Sequence, residues 1–196
     1  MIKLTAFGPS DFDTLINWID SPDLLVTIAG NIFSYPLTHE QLQTYLANKY
    51  NYAFNVVDTA RDKIIGHAGV LLSGKDICKI DKLIIGDKDN RGRGIGQQVI
   101  NELLNYAFTN LDVTTIELNV FDWNIAGIKC YEKCGFNMNP VKQSFFRVGD
   151  INWIAFNMTI NKNEWAKRKP ADEIQTNKIE PDLSIQYSNG LPDNSL

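Results

Sequence analysis

Lys82-Leu83-Ile84-Ile85-Gly86, then Asp87-Lys88-Asp89-Asn90, then Arg91-Gly92-Arg93-Gly94-Ile95-Gly96: this run decides the fold. Residues 76–86 are rich in isoleucine and read as a strand. The glycines after them break any regular pattern. From 94 to 110 the period becomes helical, with Ile95, Val99, Ile100, Leu103, Leu104, Ala107 and Phe108 on one face. A strand therefore enters a glycine turn, and the turn opens a long helix. The first amides of such a helix lack intrahelical partners, and with the helix dipole they form an anion site. Arg91 and Arg93 add positive charge, and a pyrophosphate is the natural ligand. The dinucleotide pattern fails at Gln97, where its third glycine belongs, and the Walker pattern lacks its Gly-Lys-Ser/Thr.

Upstream, residues 2–7 alternate as an edge strand, and 9–20 and 22–29 have helical spacing, the second stopped by Gly30. Thr38 followed by Gln41 predicts a capping box that opens a helix over about 39–49. Residues 52–58, 63–73 and 76–86 read as three strands joined by turns at 59–62 and at Ser73-Gly74. Downstream, 113–121 is a β-branched strand, and 124–134 is a helix stopped by Gly135. Strands over about 136–147 and 151–160 meet at Gly149-Asp150.

The second informative stretch is Asn124-Ile125-Ala126-Gly127-Ile128-Lys129-Cys130-Tyr131-Glu132-Lys133-Cys134-Gly135-Phe136. Together with the glycine turn it resembles the GNAT superfamily of N-acetyltransferases. That family carries R/Q-x-x-G-x-G/A, met by Arg91, Gly94 and Gly96. It also carries N-x-x-A-x-x-x-Y-E-K-x-G-F, met by Asn124, Tyr131, Glu132, Lys133, Gly135 and Phe136, with Gly127 in place of alanine. The resemblance spans roughly 2–166. It implies an α/β (α+β) fold: a twisted, mostly antiparallel sheet of six to seven strands, flanked by helices and split at the cofactor cleft. Residues 85–96 and 157–165 also look like the branch that holds ribosomal-protein N-terminal, antibiotic-modifying and polyamine acetyltransferases. Asn90-Arg91 stands where that branch has an aromatic–Trp pair.

What the resemblance implies is direct attack of an amine on acetyl-CoA, with no metal. The acceptor is a primary amine of a small molecule or of a peptide N-terminus. The expected cofactor-binding residues are Leu83, Ile84, Ile85, Arg91, Gly92, Arg93, Gly94, Ile95, Gly96 and Asn124. Ile85 is the expected backbone donor to the carbonyl oxygen, and Tyr131 the expected acid for the leaving thiolate. Asn124 is also a good N-cap for the helix that it opens. Asp81 lies on the strand from which a base could act, yet alternation turns it outward. His67 reads as a strand histidine with satisfied nitrogens, and His39 as solvated. Asn119 is a weak candidate for cofactor contact. Trp18, Phe33, Tyr35, Trp123, Phe145 and Phe146 are candidate walls of the acceptor pocket. Asp20, Asp23 and Asp122 are candidates for recognising a cation. The competing function is a CoA-binding sensor or scaffold without turnover.

Composition narrows the setting. The 196 residues are 44% hydrophobic and 21% charged, with a net charge of −4, as expected of a globular chain. That balance argues against nucleic acid as a partner, which would call for a basic face. The first five residues do not look like a signal peptide, no run approaches a membrane span, and a cytoplasmic location is expected. Cys78, Cys130 and Cys134 read as free thiols, and histidines at 39 and 67 alone assemble no metal site. The acetyltransferase-like domain is expected over 1–166. Residues 167–196 read as a polar tail, with Leu183–Tyr187 packing on the domain or on a neighbouring subunit of a homodimer.

Overall fold

The computed structural model of the chain describes residues 1–86 and 93–168. Arg91, Gly92 and the tail segment Leu183–Tyr187 lie outside the described residues. In chain order the elements are β1 (Ile2–Ala6), a 3-10 turn (Pro9–Asp11), α1 (Phe12–Trp18), α2 (Pro22–Ala29) and α3 (His39–Ala47). Then come β2 (Asn51–Asp58), β3 (Lys63–Leu72), β4 (Ile77–Ile85), α4 (Ile95–Asn110), β5 (Thr115–Phe121) and α5 (Ile125–Lys133). The last are β6 (Asn137–Val148), β7 (Ile151–Asn161) and α6 (Lys162–Arg168). No described helix is long and apolar enough to cross a membrane.

The seven strands form one sheet in the order β1-β2-β3-β4-β5-β7-β6. Every neighbouring pair is antiparallel except β4 and β5. That parallel pair matches only Ile77–Ile80 with Thr115–Leu118, so β4 and β5 part beyond Ile80 and Leu118. The expected split in the sheet is this divergence.

One face carries the main core. Leu4, Phe54, Val56, Val70, Ile80, Ile116 and Met158 pack there against Val99, Ile100, Leu103, Leu104 and Ala107 of α4. The helical period places those α4 residues on one side, and burying each aliphatic side chain stabilises the fold by roughly 1.5–3 kcal/mol. The opposite face is covered by α1–α3 through Phe12, Leu15, Leu25, Leu42 and Tyr45, with Phe7 just after β1 beside them.

Two caps depart from the sequence reading. The Thr38 hydroxyl accepts from the Gln41 amide at 3.3 Å, as a cap should. Gln41 does not close the box, however. Its side chain accepts from Ser34 N and donates to the Ser34 and Pro36 carbonyls, which fastens the aromatic loop instead. At the far end, Asn161 and Glu164 exchange side-chain and backbone bonds at 2.9 and 3.3 Å and open α6, which the sequence reading lacked. Trp165 of α6 then packs on Phe108, with ring centroids 5.0 Å apart.

Between α1–α3 and the sheet lies His67, 1% exposed, its ring edge-on to Phe7 at 4.3 Å. The expected satisfied histidine is not found, because neither ring nitrogen has a hydrogen-bond partner. Burial, followed by the charge of Lys82, lowers its pKa from 6.5 to about 3. The unfolded chain therefore binds the extra proton between about pH 6.5 and 3, and the folded chain does not. Stability is expected to be full above about 6.5 and to fall with decreasing pH, by up to roughly 1.4 kcal/mol per unit from this group. Urea midpoints from pH 8 to 4 test this. His67→Phe should flatten part of the acid limb, and an unchanged limb would remove His67 as its source.

Candidate active site

Three residues of β3 oppose four of β4 between the pairs Gly69–Asp81 and His67–Ile84, so β4 carries a bulge. Its extra residue is Lys82, in the left-handed region at φ 52°. The bulge resets the alternation. Leu83 and Ile85 pack toward the α4 core, whereas Ile84 packs toward α1–α3. Asp81 and Lys82 share the α1–α3 side and form a buried ion pair at 2.5 Å, with side chains 10% and 3% exposed. Asp81 is therefore buried, not turned outward. The Lys82 ammonium lies 4.6 Å from the centre of the Tyr45 ring, a cation–π contact. Gly69 makes room for the group: a Cβ there would fall 2.5 Å from Asp81 Oδ1 and 2.7 Å from Tyr45 Oη. Neither of those two oxygens has a hydrogen-bond partner. Burial, and next the charge of Asp81, raise the Tyr45 pKa well above its usual value, so its hydroxyl stays protonated.

Two spaces open where β4 and β5 part. The larger is a cleft of 630 Å³ that runs from Leu83–Ile85 past Gly94–Gln97 to Asn124 and the exposed side of α5. The smaller, of 220 Å³, lies on the α1–α3 side between the end of α2 and the strand residues Lys79–Leu83, Leu118 and Asn119. Leu83, Tyr131, Thr27 and Ile28 line both, so the two spaces meet there.

The cleft is built as an anion site at one end. Gly94 precedes α4 with φ 75°, a conformation that glycine adopts without strain, and no side chain caps the helix. Gln97 and Gln98 are the first amides bonded within it, both to the Gly94 carbonyl. The amides of Ile95 and Gly96 come before them, at the cleft wall. A Cβ on Gly96 would fall 3.3 Å from Cys130 Sγ, so α4 and α5 approach closely here. Lys129 and Lys133 of α5 also line the cleft, and no described lining residue is acidic. A pyrophosphate-bearing ligand with an extended arm fits this donor set: helix amides and lysines at one end, aliphatic strand residues at the other.

Of the residues named from sequence, Leu83, Ile84, Ile85, Gly94, Ile95, Gly96, Asn124 and Tyr131 line the cleft. Arg93 is exposed at the turn and is not among the lining residues. Burial, with Cys130 and Cys134 nearby, raises the Tyr131 pKa above its ordinary value. Cys130 goes the other way, to about 7, drawn down by contact with Cys134 and by Lys133 against the effect of burial. Asn124 caps α5 by accepting from the Gly127 amide at 2.9 Å. Asn124→Ala is expected to cost about 1 kcal/mol of stability, and Asn124→Asp to preserve the cap. Equal urea midpoints for parent and alanine variant would deny the cap any weight.

The acceptor-side candidates scatter. Phe146 lines the smaller space. Phe33 packs with the α1–α3 core, and Trp18 lies across Gly86, where a Cβ would strike its indole at 2.0 Å. Tyr35, Trp123 and Phe145 are exposed, and Asp20, Asp23 and Asp122 do not line the space. Sequence reasoning missed Lys79, Lys82, Lys129 and Lys133. The α5 lysines were readable, since each lies one helical turn from another cleft residue. Lys82 was not, because the bulge that turns it inward has no sequence mark.

Residues 2–137 match the family model described as an acetyltransferase (GNAT) domain. Over 56 residues the chain is 34% identical to the acetyltransferase PseH of Campylobacter jejuni subsp. jejuni serotype O:23/36 (strain 81-176), covering 29% of this chain and 36% of that protein. Over 116 residues it is 23% identical to the probable N-acetyltransferase YjcK of Bacillus subtilis (strain 168), covering 57% of this chain and 62% of that protein. The chain thus spans less than two thirds of the length of either relative. Its fold is similar to that of the spermidine N-acetyltransferase from Vibrio cholerae solved in complex with CoA and spermine, with a TM-score of 0.72 at 19% identity over 84% of this chain and 98% of that one. That likeness carries the fold alone, whereas the family model covers well over half of the sequence. On that ground the chain belongs to the GNAT family of N-acetyltransferases.

Proposed function

We propose that this protein is an acetyl-CoA-dependent N-acetyltransferase that acetylates a primary amine of a small molecule or of a peptide N-terminus by direct attack. The observation that carries this reading is the meeting of the two spaces at Leu83 and Tyr131. A nucleophile entering from the α1–α3 side would there reach a thioester held from the α4 side.

Acetyl-CoA supplies an activated acyl group whose C–S bond breaks as the C–N bond forms. The chain's residues have four tasks around that exchange. The amides of Ile95 and Gly96, with Lys129 and Lys133, would hold the phosphates. A strand amide of β4 would donate to the charge that develops on the carbonyl oxygen. The junction at Leu83 favours that level of the strand over Ile85. Tyr131 would donate its hydroxyl proton toward the leaving sulfur. Asp81, whose Oδ1 is unpartnered and whose charge Lys82 balances, would receive the proton that the amine loses.

The test is thiol release from acetyl-CoA over a panel of amines, alongside calorimetric titration with CoA. Acceptor-dependent release with CoA binding is the expected result. Binding without release over the whole panel would make the protein a CoA sensor or scaffold instead.

A further inference from the structure

We propose that the acceptor is a small amine that carries an anionic group in the same molecule, and that Lys79 binds this group. The inference rests on the transferase reading above and names its substrate class.

The charges that line the smaller space decide the point. Among its described lining residues these are Lys79, Asp81 and Lys82, two cations and one carboxylate. Lys82 already claims the carboxylate. Nearby, Glu117 is engaged by Lys142 at 2.7 Å and by Asn157 at 3.3 Å, both on the β6–β7 side. Lys79 is therefore the surplus charge. With the Asn119 amide turned to donate to the Leu118 carbonyl, its oxygen accepts from Lys79 Nζ at 3.1 Å. That bond holds the ammonium at the space, where the lining carries one more cation than carboxylate. Burial also lowers the Lys79 pKa, with Asp81 and Glu117 opposing the shift and Lys142 and Lys82 adding to it, and a bound anion would favour the charged form.

The other end of the space suits an amine. It is bounded by the last turn of α2 and the residues after it, Val26–Ile32. The carbonyls at the C-terminal end of a helix favour positive charge. Thr27 and Ile28 of that turn are also where the space meets the cofactor cleft. Leu83 at the junction and Lys79 on the floor are four residues apart along β4, roughly 13 Å. The lysine side chain shortens the gap, leaving room for a molecule of amino-acid or amino-sugar size. A polyamine fits poorly, since its far amine would face the Lys79 ammonium, and Asp81, the one carboxylate among the described lining residues, is already paired with Lys82. The acceptor therefore differs in charge from the spermine held by the Vibrio cholerae enzyme.

Matched pairs test this: lysine against cadaverine for a carboxylate, and glucosamine 6-phosphate against glucosamine for a phosphate, with spermidine as a polycation. At least one anionic member is expected to exceed its neutral or cationic partner in kcat/KM by about 10- to 100-fold, the effect of a charge-assisted hydrogen bond. Lys79→Gln should remove most of that ratio by raising the acceptor KM, and Lys79→Glu should reverse it in favour of cadaverine. Unchanged CoA affinity in both variants shows that they are folded. Cadaverine, glucosamine or spermidine reacting as fast as the anionic acceptors would overturn the inference and leave the transferase reading standing. So would a ratio that survives Lys79→Gln. No release with any amine would remove both.

Discussion

Tyr131→Phe is expected to lower kcat by about 100-fold, at the lower end of general-acid effects, with the affinity for CoA nearly unchanged. Tyr131 lines both spaces where they meet, and in the proposed reaction its hydroxyl would serve the leaving sulfur there. Its pKa lies above the ordinary value because of burial and the neighbouring cysteines, and it therefore stays protonated at any working pH. This makes it a hydrogen-bond donor throughout and a proton donor only late in the reaction. The effect should be moderate, because a thiol with a pKa near 8.5 leaves without obligatory help. The ring still packs on Phe136 in the variant, with centroids 6.2 Å apart in the parent, so stability should hold. Single-turnover mixing of enzyme with acetyl-CoA and amine separates this step from binding. Parent-like turnover by Tyr131→Phe would remove the role.

Asp81→Ala is expected to destabilise the fold by about 3–5 kcal/mol, the usual cost of leaving one member of a buried ion pair alone. Lys82 is 3% exposed, so removal of its carboxylate leaves a buried ammonium without its ion-pair partner. The remaining contact with the Tyr45 ring, worth about 0.5–2 kcal/mol, would not compensate. Against a typical stability of roughly 5–15 kcal/mol, the loss is large. The double variant Asp81→Leu/Lys82→Met should regain most of it while remaining inactive if Asp81 takes the amine's proton. Urea unfolding of the parent, Asp81→Leu, Lys82→Met and the double variant yields the coupling. A single-variant loss below about 1 kcal/mol would mean that Lys82 finds another partner.

The sequence carries most of the scaffold, and its limits have physical causes. The α4 face was legible because its seven apolar positions recur at spacings that only a helix collects on one side, and six of them are buried. The Asn161–Glu164 cap opens only the seven-residue α6, which is too short for a helical period to show in the sequence. Thr38 and Gln41 show the opposite case. The right residues stood at the right spacing, yet a loop offering free carbonyls at Ser34 and Pro36 competed for the amide. The site was half legible. Glycines and a helix start are local features, so the end proposed to hold phosphates could be read. The proposed acceptor end depends on a bulge that puts Lys82 on the same side as Asp81, and only the pairing of β4 with β3 reveals it.

In mechanical terms, the single sheet is two plates, one of four strands and one of three, joined by a seam four residues long. A load applied between β1 and β6 must cross that seam, and parallel pairs are the slightly weaker kind. The seam amides should then be the first of the sheet interior to exchange with solvent through opening of the plates, ahead of those shared by β2 and β3. A ligand wedged between the plates just beyond the seam would serve as a keystone. It would bear part of the load and tie its own residence time to the rate at which the plates part.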